Sequence, residues 1–168
     1  MTTPSTPRYS PEAFPPYAYR PGTTPHPRRD PEGHSRELPE PSLDAWQPDQ
    51  WRSNQAWLRA VDLYNHGFWW EAHELLEALW QAAGRDSPHA VFVQGFLQVG
   101  AAFLNREQAR SSARLQAEKG LARMAVILIE APNYMGIDVV QFNAAVRASF
   151  SIGAAAPTLR LAEPQVLA

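Results

Sequence analysis

A chain of 168 residues, 45% of them hydrophobic, has room for one domain with a single buried core. Its formal net charge of −2 argues against nucleic acid or an acidic membrane surface as the main partner, and the absence of cysteine excludes disulfides, thiolate nucleophiles and cysteine-based zinc sites. Residues 1–10 hold no apolar stretch of the signal-peptide kind. The longest apolar run, 90–104, is interrupted by Gln94 and Gln98 and is shorter than the roughly 20 residues a membrane-spanning helix needs, so a cytoplasmic location is expected.

Twelve of the sixteen prolines lie in residues 1–48, too closely spaced for a helix or an interior strand. With few aliphatic residues to offset the entropy of ordering, residues 1–44 are expected to form a disordered, proline-rich arm. Its Phe14, Tyr17 and Tyr19 are the side chains able to dock on the domain or on a partner. A helical domain is expected over 45–150 and a flexible tail over 151–168.

Within the domain, a first helix over about 49–64 places Trp51, Trp57 or Leu58, Val61 and Tyr64 at helical spacing. The triplet Asn65-His66-Gly67 ends it, because glycine tolerates the left-handed conformation of a helix stop. A second helix runs from about 68 to 83, and so short a link makes the pair an antiparallel hairpin. Ser87 and Pro88 read as N-cap and first residue of a third helix reaching to about 105. That helix is apolar nearly all round, as a central helix is, and its Gly95 and Gly100 suit the close approach of a neighbour. A fourth helix over about 107–130 carries the stripe Ala117, Leu121, Met124 and Leu128. A fifth, over about 137–149, would bury Ile137, Val140, Ala144 and Val146 or Ala148. No strand pattern or internal repeat is visible. The expected fold is an all-α, compact bundle of about five helices around a central apolar one.

The second helix concentrates the chemistry. At 3.6 residues per turn Ala72, Leu75, Leu76 and Leu79 form its core stripe. His73, Glu77 and Trp80 fall on another face, with Trp70 and Glu74 beside them and Glu71 between the two. Gln94, Gln98, Ala101 and Asn105 line one stripe of the third helix, and buried amides need partners. The expectation is a polar pocket between these two helices, made by Glu71, His73, Glu74, Glu77, Trp80, Gln94 and Gln98. His73 and Glu74 are its candidate proton-transfer groups. His73 and Glu77, four residues apart, are candidate ligands if a metal ion is bound. Each residue also has a structural role open to it: Glu71 in the first helical turn can cap a free N–H, and His73 with Glu77 can be a simple surface pair. The zincin motif is incomplete, since Glu77 stands where its second histidine belongs, and the Glu-x-x-His spacing of di-iron bundles is broken by Trp70. Neither a nucleophilic-serine motif nor a phosphate-cradling glycine loop occurs.

The run Asn65-x-Gly67-x-x-x-Glu71-Ala72-His73-Glu74-x-x-Glu77-x-x-Trp80, followed by Gln94-Gly95-x-x-Gln98, resembles an uncharacterised prokaryotic family, the domain of unknown function DUF 309. The resemblance covers about residues 50–150 and implies a small helical bundle in which these two helices pack together. It names no reaction. Two features depart from a minimal member: the long proline-rich arm, and Trp69-Trp70 where one aromatic would do. Three classes of function stay open: a domain binding a small molecule or metal in the polar pocket, an interaction or scaffold domain whose polar cluster is structural, and an acid/base enzyme using the same pocket. A small molecule or a protein is the expected partner, with no nucleic acid or membrane, and a homo-oligomer is open.

Overall fold

The computed structural model describes residues 5–129 and 131–162. Residues 1–4 of the expected arm, position 130 at the end of the fourth expected helix, and 163–168 of the expected tail lie outside the described residues. Among the described residues five α-helices build the molecule: α1 (Gln55–Asn65), α2 (Trp69–Ala82), α3 (Pro88–Glu107), α4 (Ala113–Ala125) and α5 (Val139–Ile152). The expected all-α bundle is thus observed.

Local chemistry fixes most of the boundaries. Asn54 caps α1, its side-chain oxygen accepting the Trp57 N–H at 3.0 Å, so the helix starts later than the apolar spacing suggests. Before it, Pro48–Gln50 make one 3-10 turn, which still buries Trp51. Gly67 (φ +77°) reverses the chain into α2 within three residues. Ser87 caps α3 with Pro88 at its first position, and Asp138 caps α5 by accepting the Gln141 N–H at 2.9 Å.

α3 lies in the middle, packed on α2 along one side and on α4 along the other. The α3–α4 crossing is backbone against backbone. A Cβ added at Gly95 would lie 2.5 Å from the Gly120 carbonyl oxygen, and one at Gly120 would lie 2.6 Å from the Gly95 oxygen. An aromatic cluster of Trp57, Tyr64, Trp69, Phe96, Phe103 and Phe142 fills the space between α1, α2, α3 and α5. Burial drives the Tyr64 hydroxyl pKa well above the usual phenol range.

Several expectations shift. The fourth helix starts at Ala113 and tightens at Val126–Ile129 into a 3-10 turn. The tighter winding carries Ile127 inward three residues after Met124, and Leu128, expected in the stripe, is 36% exposed. In α5 the buried positions are Val139, Phe142, Asn143, Val146 and Ser149, while Val140, Ala144 and Ala148 face out. The Asp138 cap sets this phase. A short antiparallel hairpin, β1 (Asn133–Tyr134) and β2 (Ile137–Asp138), precedes α5 where no strand was expected.

The largest difference concerns the two ends. Residues 5–47 contain no helix or strand, as the prolines dictate, but they lie against the helices rather than standing off as a disordered arm. A compact loop over 26–36 is closed by its own backbone, with the Asp30 N–H on the His26 carbonyl and the Ser35 N–H on that of Pro27. Gly33 is required there, since a Cβ would fall 2.2 Å from the Pro27 oxygen. Nor do residues 153–162 run free. Leu159 and Leu161 are buried, Asn65 exchanges two hydrogen bonds with the Leu159 backbone, and the Tyr64 hydroxyl donates to the Pro157 carbonyl at 3.1 Å.

Candidate functional site

The acidic face of α2 is where the arm lands. Glu71, expected to cap its own helix, makes no cap bond and reaches across instead. Its carboxylate is buried, accepting the Tyr19 backbone N–H at 2.8 Å and meeting His34 Nε2 at 2.9 Å, while its second oxygen, Oε2, is buried with no hydrogen-bond partner among the described residues. One turn along, Glu74 takes the Arg28 Nε on both oxygens, at 2.8 and 3.0 Å. The pairing raises the Arg28 pKa above its ordinary value, the side-chain hydrogen bond to Glu74 being the main cause.

Helix α1 adds a second anchor that the sequence reading did not single out. Asp62, with no solvent exposure at all, accepts the backbone N–H groups of Tyr9 and Ser10, both at 2.8 Å, and faces Arg8 Nε at 3.4 Å. Arg59, three residues earlier on the same helix, does the converse: it donates to the Glu12 carbonyl at 2.7 Å and to the Ala13 carbonyl, and pairs with the Glu12 carboxylate at 3.1 Å. Burial lowers the Arg59 pKa from its ordinary value, opposed by Glu12. Among the described residues, the carboxylates of Asp62 and Glu71 receive every hydrogen bond they accept from the arm. A signal for this existed: Arg59 and Asp62 lie in the run Trp57–Tyr64, in which the six remaining residues are all apolar or aromatic. A charged pair in so apolar a helix needs a partner chain or a partner loop.

Aromatic rings supply the rest of the grip. Phe14 stacks on Phe68 at 5.0 Å and 9°, with the Arg8 guanidinium 4.1 Å from its centroid. Tyr19 and His26 meet Trp70 edge-on at 5.7 and 5.6 Å. Arg20 donates to the Gly67 carbonyl at 2.9 Å and pairs with Glu107 at the end of α3, which also accepts the Trp69 indole N–H at 3.1 Å. Trp69 and Trp70 have therefore divided their work. The first packs into the core against Phe103 and the second holds the arm.

The remaining expected site residues do not converge. His73 and Glu77 form a partly exposed i,i+4 pair at 3.8 Å. Burial lowers the His73 pKa, with Glu77 and then Glu74 opposing the shift. The Trp80 ring lies under the Arg85 guanidinium at 5.2 Å. Two of the α3 amides turn toward α4: Gln98 accepts from Arg123 Nη1 at 2.8 Å and Asn105 bonds Gln116, while Gln94 is half-buried. A recess of about 240 Å³ adjoins Glu74, Glu77, Ala78 and Gln81 on α2, but its other wall is Glu40 and Pro41 of the arm. Among the described residues no group of three or more histidine or acidic side chains could hold a metal ion, and no helix is long and apolar enough to cross a membrane.

No curated protein and no solved structure matches the chain. Over residues 57–115, from the first turn of α1 to the first turn of α4, the chain resembles a family described as Domain of unknown function (DUF309), whose model matches that stretch.

Proposed function

We propose that this chain is a non-catalytic interaction domain, and that the face formed by α1 and α2 holds an extended peptide segment. In the closed chain the occupant is its own arm. One observation carries the reading: two buried carboxylates on adjacent helices, Asp62 and Glu71, accept three backbone N–H groups from the arm, those of Tyr9, Ser10 and Tyr19. Bonds to main-chain N–H and C=O groups are how a surface recognises an extended peptide largely independently of its sequence, with side-chain slots adding selectivity. Here the slots are the Phe68 ring for Phe14, the Trp70 ring for Tyr19, and Glu74 for Arg28.

The two features that depart from a minimal member of the resembled family support the same conclusion. Trp70 and the proline-rich arm touch each other, and the arm lies outside the matched residues. An extra segment and the extra ring that receives it make one device. Two of the three amides expected to face α2, Gln98 and Asn105, have partners on α4 instead.

The test uses the full chain carrying Arg28→Ala and His34→Ala, which loosen the arm and leave the face intact. A labelled peptide of residues 5–38 should bind this variant, and the added substitutions Asp62→Asn and Glu71→Gln should each weaken binding by about tenfold, as loss of a charge-assisted hydrogen bond does. A variant that folds but shows no binding of the peptide would end the reading.

A further inference from the structure

If the α1–α2 face holds an extended segment, as proposed above, it has no means of telling its own arm from that of another copy. We propose that two copies of this chain exchange arms, each face being completed by Tyr19, Arg28 and His34 of the other copy. The contacts already described would be the whole interface, so no new surface has to be invented.

Three observations favour a second copy over an unrelated peptide. The arm's grip sits in residues 8–35, whereas residues 39–45, which tie it to the domain, make no hydrogen bond among the described residues. That tie is mostly exposed and carries Pro39 and Pro41, which stiffen it and favour an extended path. The closed packing is also incomplete. An open, largely apolar groove of about 410 Å³ remains between Ser10, Pro11, Leu43, Ala56 and Leu75, and a smaller one of about 170 Å³ lies beside Arg28, His34, Glu71 and Glu74. A seam held by charge and backbone bonds across unfilled space opens more readily than a close-packed one. Finally, the side-chain requirements of the slots are met by this chain's own arm, with its aromatic and arginine residues in register.

Charge reversal provides the test. Two full-length variants are made, Arg28→Glu in the arm and Glu74→Arg in the face. Alone, each mismatches its Arg28–Glu74 contact, whether closed or exchanged. Mixed in equal amounts, they can satisfy both contacts only by exchanging arms. Native mass spectrometry and light scattering should show a 1:1 heterodimer about tenfold more abundant than either homodimer, the scale set by replacing repulsion with attraction at two partly buried pairs. A mixture equal to the sum of its separate components overturns the exchange. If the arm peptide of the previous test still binds, the peptide-holding face survives that result. If it does not, both fall. Should either variant unfold, the wild-type chain lacking residues 39–41 serves instead: the shortened tie denies the arm its own face, so a dimer is expected. A monomer whose arm is open to protease would overturn the proposal.

Discussion

The molecule contains two long seams of opposite character. Between α3 and α4, Gly95 and Gly120 bring two backbones into contact, and the flanking residues Phe96, Val99, Leu121 and Met124 are fully buried. Between the arm and α1–α2, the contacts are ion pairs, main-chain hydrogen bonds and ring edges, with open grooves among them. The first seam can exist in one way only, because a methyl group would disrupt it. The second depends on groups that water or another peptide can replace one at a time. The difference teaches which contacts define the fold and which can be exchanged: the α3–α4 seam makes the domain, and the arm seam is laid on its surface.

The comparison can be broken or sharpened in graded steps. The largest effect is expected from Gly120→Ala, whose Cβ meets the Gly95 carbonyl. Urea denaturation should show a loss of about 3 kcal/mol in one cooperative step, arm and helices together. Asp62→Ala should cost about 2 kcal/mol, since it strands the Tyr9 and Ser10 N–H groups. Here the loss should be local, read as faster amide exchange over residues 5–38 with α3 and α4 unchanged. If exchange rises equally everywhere, the two seams are not separable. Arg28→Ala should cost about 1 kcal/mol, within the range for a partly exposed pair, and should raise proteolysis of the 26–36 loop.

Acidification follows next. Burial lowers the pKa of His73 and of His89, the latter opposed by a hydrogen bond with the Trp46 backbone. A histidine whose folded pKa lies below its unfolded value takes up more protons when unfolded. Its contribution is therefore complete above about pH 6.5 and is lost as the pH falls from there toward the folded value. Melting temperature should decline on that limb, and His89→Phe should flatten it. The smallest effect is expected at the His73–Glu77 pair, where His73→Ala should change stability by less than about 0.5 kcal/mol and leave arm-peptide binding unaltered. Loss of binding there would move the recognition face outward along α2.

Much of this architecture could be read from apolar spacing and caps. Ser87-Pro88 marked α3, Asn65-His66-Gly67 marked the turn into α2, and the all-round apolarity of α3 marked its central place. The acidic face of α2 also stood out, as the candidate site. Its partner did not. The pattern of Gln94, Gln98 and Asn105 pointed to an amide stripe needing hydrogen bonds, yet periodicity gives a stripe without saying which neighbour it meets, and Arg123 and Gln116 of α4 meet it. The ordered arm was hidden for a different reason. Composition measures what a segment can bury by itself, whereas residues 8–35 are held by charges and backbone acceptors on another part of the chain, more than fifty positions away at Asp62.

The turn of α1 from Asp62 to Asn65 has a further consequence. It grips the arm through Asp62 and the C-terminal strap through Tyr64 and Asn65, and the two straps touch each other where the Leu161 N–H meets the Tyr9 hydroxyl at 2.8 Å. Arm, strap and helix turn thus form a closed ring of hydrogen bonds, like a buckle with two tongues. Whatever lifts residues 157–161 removes a partner from Tyr9 and lowers the work needed to free the arm, and freeing the arm loosens the strap by the same amount. A molecule that engages either end of the chain thereby acts on the acidic face without touching it.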